Sequence, residues 1–343
     1  MTEPVQQGVY AAIDLGTNNC RLLVAVPAQG GFRVIDSLSR IVRLGEGLDA
    51  SGKLREDAMK RAIEALKACT ERLGRRPIRA LRAVATQACR QASNGTAFLA
   101  RVQAETGLVF EIITPRQEAE LALESCAPLL SRTNRRALLF DIGGGSTELA
   151  WVRLDGPGRR PELIGYDSMP VGVVTLAERH GAAGFTPDGF AEMVDEVRDR
   201  LAGFEQVHCI AHELRSGGVQ GIGTSGTVTT LAGVALDLPR YRRGLVDGTT
   251  LSIAAGAQAL AVLQGLGRDG LARHSCVGPE RADFVLPGCA IFQAILSLWP
   301  LPAVTVADRG LREGMLLRLM RRPGPGFAMP QPGPTPVHAV MAS

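Results

Sequence analysis

Lysine is almost missing from this chain: of its 38 basic residues only Lys53, Lys60 and Lys67 are lysines. A GxxxxGK[ST] loop with its phosphate-gripping lysine is therefore excluded outside that one stretch. Paired cysteines are missing too. Cys20, Cys69, Cys89, Cys126, Cys209, Cys276 and Cys289 are dispersed without a CxxC among them. That spacing makes neither a disulfide scaffold nor a zinc framework, and it fits a reducing, cytoplasmic location. No apolar run is long enough to span a bilayer, and the N-terminal MTEPVQQG lacks the charged start and apolar stretch of an export signal, so no membrane is expected as a partner. Nor is there an excess of one charge: 38 basic and 34 acidic residues leave +4, with the basic ones scattered. Nucleic acid is not an expected partner, while small acidic substrates stay open.

What is present is enough for two domains: 343 residues, 45% of them hydrophobic, allow a sizeable core without cross-links. An internal repeat organises them. DLGTNNCRLLVAV from Asp14 and DIGGGSTELAWV from Asp141 align Asp, an aliphatic residue and Gly, with Leu22 matching Leu149. Each segment follows a β-rich apolar run and precedes a second strand, so each reads as a strand, a tight turn and a returning strand. A third strand, a helix over 55–73, a strand over 78–85, a helix over 94–105, a strand over 109–113 and a helix from Pro115 follow the first repeat. After the second come strands over 136–141, 147–153 and 162–170, a helix over 187–204 and a strand over 219–223. AVTVAD and GLREGMLLRLM predict a last strand and a helix that packs back onto the first half. The order predicts an α/β fold with mixed sheets. Six prolines between Pro323 and Pro336 predict a flexible tail.

Glycine turns between strands leave backbone N–H groups free to face an anion, because no Cβ blocks positive φ or close approach. Gly16, Thr17 and Asn18 in the first repeat and Gly143, Gly144, Gly145, Ser146 and Thr147 in the second are the candidate phosphate-binding residues. The hydroxyls of Thr17, Ser146 and Thr147 would add donors. Asp14 and Asp141 end the strands before these turns, and Glu148 follows the second. Carboxylates beside phosphates call for a hard divalent cation between them, and Mg²⁺ is the expected cofactor. A third cluster, GIGTSGT, ends a strand and opens a helix, offering Gly223, Thr224, Ser225 and Gly226 to an anion. Such turns equally serve close packing in α/β folds.

These clusters, with ATQACRQASN (85–94), EIITPRQEAEL (111–121), SMPVGVVTL (168–176), RADFVLPGCAIF (281–292) and DRGLREG (308–314) in order, resemble the exopolyphosphatase and guanosine pentaphosphate phosphatase family, within the actin, Hsp70 and sugar kinase superfamily. The resemblance implies two actin-like, ribonuclease H-like domains with mixed sheets around a central cleft. They would comprise residues 1–130 plus 305–322 and residues 131–304, with 323–343 as the tail. It implies hydrolysis of terminal phosphoanhydrides, with Glu118 activating the attacking water, Arg90 in the active site, and Asp141 and Glu148 beside the metal. Inorganic polyphosphate or guanosine pentaphosphate would be the substrate. Members of the family often pair, so a homodimer is an expectation of the same origin. The match departs at Asn19, where a serine is usual, and at Gln117 and Glu120, which replace an acid and an arginine. Longer members carry an appended helical domain, and a two-domain form is expected to hold long polyphosphate less processively.

Read without the resemblance, Glu118 is a solvated carboxylate favoured by a helix start, and Arg281, Asp283 and Arg312 are packing and salt-bridge elements. Two further functions fit the same turns. An actin-like kinase would clamp ATP between them, and a noncatalytic phosphate or nucleotide sensor would respond by domain closure.

Overall fold

The first repeat opens on a strand whose residues are nearly all buried, β1 (Val9–Leu15), which places it in a sheet interior. Its side chains alternate between two cores. Ala11, Ile13 and Leu15 enter one cluster, whereas Tyr10 and Ala12 enter another on the opposite face. The computed structural model describes residues 8–154 and 161–321; the tail expected over 323–343 lies outside them.

β1 pairs antiparallel with β2 (Asn19–Ala28), which pairs with β3 (Gly31–Ile41). On its other side β1 pairs in parallel with β4 (Ile78–Ala85), and β4 with β5 (Glu111–Ile112). Among them run α1 (Leu48–Ser51), α2 (Glu56–Leu73), α3 (Gln87–Gln91), α4 (Gly95–Thr106) and α5 (Pro115–Cys126). β5 is shorter than the strand expected over 109–113, because it touches β4 only at Val84 and Ala85 and Val109 is exposed.

The second half repeats the plan with β6 (Arg136–Ile142), β7 (Thr147–Arg153), β8 (Glu162–Met169), β9 (Val219–Thr224), β10 (Thr250–Ser252) and β11 (Ala303–Ala307). Their order is β10-β11-β9-β6-β7-β8, against β3-β2-β1-β4-β5 in the first sheet. Reversed, the second order superposes β8-β7-β6-β9-β11 on the first, so the duplication extends over whole sheets. Its helices are α6 (Val173–His180), α7 (Pro187–His208), α8 (Ile210–Arg215), α9 (Gly226–Ala235), α10 (Arg243–Val246), α11 (Ile253–Gly265), α12 (Gly267–Arg273) and α13 (Val285–Leu298). α14 (Leu311–Arg321) returns to pack on β1, as expected. The boundary expected at 304/305 needs correcting: β11 continues to Ala307 and pairs with β9, so residues 305–307 belong to the second sheet.

α5 joins the halves. Leu121 enters the core beneath β1 and α14, while Ala119, Ala122, Leu123 and Cys126 pack on β6, β7 and β9. Its start is fixed by a capping box: Thr114 Oγ1 accepts from Gln117 N–H, and Gln117 Oε1 accepts from Thr114 N–H. Gln117, a departure from the family pattern, therefore has a structural task. Among the described residues no helix is long and apolar enough to cross a membrane.

Candidate active site

The two bends meet. A Cβ added to Gly145 would lie 2.6 Å from Thr17 Oγ1, and one on Gly144 would lie 3.1 Å from Asn18 Cβ. None of Gly16, Gly143, Gly144 and Gly145 adopts a left-handed φ. For Gly144 and Gly145 the reason is instead steric: they are small because the first repeat is pressed against them.

Both bends are wired alike. Gly16 N–H donates to Asn19 O and Gly143 N–H to Ser146 O, each at 2.9 Å. The segment after the third strand then binds the bend carbonyls. Gly45 N–H donates to Thr17 O, and Val42 and Arg43 N–H to Asn18 O; Val173 N–H donates to Gly143 O and Val174 N–H to Gly144 O. With the carbonyls held on that side, the N–H groups of Thr17, Asn18, Gly144 and Gly145 have no acceptor among the described residues. Free N–H groups at two touching bends form an anion cradle.

Around this cradle lies a cleft of about 610 Å³. Asp14, Gly16, Thr17, Asn18, Glu118, Asp141, Gly143, Gly144, Gly145, Ser146, Glu148, Thr224, Ser225 and Gly226 all line it. Two expected phosphate ligands do not. Thr147 is fully buried and its Oγ1 donates to Val171 O at 2.8 Å. Gly223 packs against Phe140, whose ring a Cβ there would meet at 2.7 Å. Ser146 lines the cleft, but its hydroxyl donates to Glu148.

Glu118 is not a solvated helix-start acid. It is 5% exposed, and its Oε2 accepts from Arg90 Nη1 at 2.7 Å. Arg90 also donates to Ile113 O and Gln87 Oε1, and it stands behind Glu118 rather than on the cleft wall. Burial, then the charge of Glu148, raise the Glu118 carboxyl well above its ordinary range despite the pull of Arg90. Asp141 is pushed up to about 7 by burial and by Glu148. Burial also raises Glu148, against hydrogen bonds from Ser146 and Ser168, and raises Asp14, against the charges of Arg21 and Arg312.

Mutually repelling, desolvated acids are the setting a cation relieves. No three His, Cys, Asp or Glu side chains among the described residues converge as a closed cage. Mg²⁺ does not ask for one, since it takes one or two carboxylates and completes its shell with waters and phosphate oxygens. Asn18 Oδ1, buried without a donor, adds a neutral oxygen to the donor set. The residues present therefore fit such an ion.

At the third turn Ser225 caps α9 with φ 101, and its Oγ is buried without a partner. A strained, orphaned hydroxyl at a helix start facing a cleft favours the anion reading over simple packing. The structure also brings to the wall five arginines that were not among the expected ligands: Arg21, Arg40, Arg281, Arg309 and Arg312. Arg21 stands opposite Asp14 across the first hairpin, where the second hairpin sets Glu148 opposite Asp141. Its position after the bend was the available signal. Arg281 and Arg312 depart from the packing role expected of them, whereas Asp283 keeps it by pairing with Arg268.

Comparison with known proteins agrees with this geometry. A sequence model of the Ppx/GppA phosphatase family matches residues 23–323. A crystal structure of the Aquifex aeolicus member of that family is 28% identical, with 91% of this chain and 97% of that chain covered and a TM-score of 0.73. An exopolyphosphatase-like protein is 26% identical over 92% of this chain and 99% of its own, with a TM-score of 0.81. An exopolyphosphatase from Cytophaga hutchinsonii shares the fold at 24% identity and a TM-score of 0.81, over 91% of this chain and 98% of its own. Duplicated sheets, touching bends and a family match over most of the sequence lead to one assignment: the chain belongs to the Ppx/GppA phosphatase family.

Proposed function

We propose that this protein is a Mg²⁺-assisted phosphohydrolase that releases terminal orthophosphate from inorganic polyphosphate, with guanosine pentaphosphate as an alternative or second substrate. The observation that carries this reading is the facing of the cradle by Glu118, a buried acid held by Arg90 on the wall of the same cleft.

The bend N–H groups bind the terminal phosphate and orient it. Glu118 then accepts a proton from the attacking water; its raised affinity for protons brings it toward the pH at which general bases work best. Arg90, itself held by Ile113 O and Gln87 Oε1, donates one hydrogen bond to the carboxylate, so the base is aimed before substrate arrives. Asp141 and Glu148, with Asp14 across the cleft, would hold Mg²⁺, which supplies positive charge to the phosphoryl oxygens and leaving group.

Phosphate release from tripolyphosphate and from guanosine pentaphosphate, with and without Mg²⁺, tests the reading. Glu118→Gln should lower the rate by about 10² to 10⁴. Full activity of that variant would instead support a noncatalytic role for Glu118, and inactivity of the wild type on both substrates would reject the assignment.

A further inference from the structure

Glu148 sits among the acids of the site. It stands opposite Asp141 across the second hairpin, and its charge is the strongest that either Glu118 or Asp141 feels. Its two carboxylate oxygens are treated differently. Oε1 accepts from both Ser146 Oγ and Ser168 Oγ, the latter at 3.0 Å. Oε2 accepts from no other described residue and lies 3.8 Å from where a Cβ on Gly143 would stand.

The strand pleat produces this arrangement. Ser146 precedes Glu148 by two residues, so both side chains point to one face of the sheet. β8 sets Ser168 directly opposite Glu148 on that face. Ser146 lines the cleft, whereas Ser168 is off its wall and among the described residues its hydroxyl bonds Glu148 alone. Each hydroxyl has one proton to donate, and a carboxylate oxygen offers about two lone-pair positions. Two O–H donors therefore fill Oε1 and leave Oε2 as the one oxygen that Glu148 can offer a cation. Mg²⁺ loses little by this, since its octahedral shell takes a carboxylate through one oxygen and keeps several waters. Ca²⁺ gathers about six to eight oxygens and gains from a carboxylate that binds through both.

We propose that Ser168, with Ser146, holds Glu148 to one-oxygen coordination and so biases the site toward Mg²⁺ and against Ca²⁺. Ser168 is a positioning residue, setting ion specificity through Glu148 from off the cleft wall. This rests on the metal site of the proposed function and not on the reaction performed there.

Melting temperatures of the substrate-free chain, titrated with MgCl₂ or CaCl₂, give an apparent Kd for each ion. Ser168→Ala should shift the ratio of the two constants by about tenfold toward Ca²⁺. Ser168→Thr, which keeps a hydroxyl, should keep the wild-type ratio. Equal weakening of both ions in Ser168→Ala, or no change in either, would reduce Ser168 to a structural hydrogen bond and overturn the assignment. A ratio in Ser168→Thr equal to that of Ser168→Ala would overturn it as well, as would a wild type that neither ion stabilises. Should Ser168→Ala fail to fold, Ser146→Ala, which takes the other donor from the same oxygen, decides by the same ratio. Phosphate release is read separately. The expected shift in ratio, with no release by the wild type, would reject the hydrolase and leave the ion selection standing; release with an unshifted ratio would reject only the selection.

Discussion

Single carboxyls carry a measurable signature here. Asp141 holds its proton up to about 7 because burial and Glu148 disfavour its charged form. A folded-state value above the ordinary 3.8 means that the native protein binds more protons than the unfolded chain between those two limits. Stability from this residue is therefore fully present below about pH 4 and is lost as pH rises toward about 7. In metal-free protein, Asp141→Asn should gain stability over the wild type across that window, by on the order of a few kcal/mol, and stay level above it. Mg²⁺ should reverse the advantage by binding the ionised wild-type site. Melting curves from pH 4 to 8, with and without the ion, check this; a difference independent of pH would show that Asp141 is not desolvated as its surroundings require.

At the scale of elements, the bends are held by contact as much as by hydrogen bonds. Gly145→Ala would drive a Cβ to 2.6 Å from Thr17 Oγ1 and 3.0 Å from its Cγ2. The expected loss is about 1 to 3 kcal/mol, accompanied by weaker phosphate release. Thr17→Ala removes both clashing atoms, so the double variant should recover most of the stability lost, a coupling that a double-mutant cycle on melting data reads directly. Additive losses would mean that the bends do not touch in solution. These elements were largely legible beforehand, because a strand, a glycine turn and a strand repeat as DLGTNN and DIGGGS in local sequence. The steric reason for the glycines was not legible, since Thr17 and Gly145 are neighbours only after folding. Thr147 misled for the converse reason: sequence proximity to the bend suggested a phosphate ligand, while the β7 pleat turned its hydroxyl to Val171.

For the whole molecule, the question is what keeps the two halves closed around the cleft. α6 is bonded at its start to the second bend, through Val173 and Val174. Near its end Glu178 accepts from Gly47 N–H at 3.0 Å and Arg179 donates to Asp49 at 2.9 Å. Gly47 and Asp49 lie just beyond the loop that binds the first bend, and Arg43 in that loop stacks over Phe284 of the second half, 5.7 Å from its ring centre. One helix thus fastens both bends. Each exposed contact contributes under about 1 kcal/mol, so the clasp adjusts a balance between open and closed forms instead of holding the fold together. Asp49→Ala combined with Glu178→Ala should therefore leave the melting temperature nearly unchanged, because each sheet keeps its own core. The substrate-free radius of gyration in solution scattering should rise, and KM should increase by a few-fold while kcat at saturation stays close to wild type, substrate binding itself restoring closure. High salt should reproduce the effect in the wild type and add little in the double variant, as screening acts on the same exposed charges. An unchanged radius and KM in the double variant would assign closure to the bend contact and to α5, which packs against both sheets, and would leave α6 a passive brace.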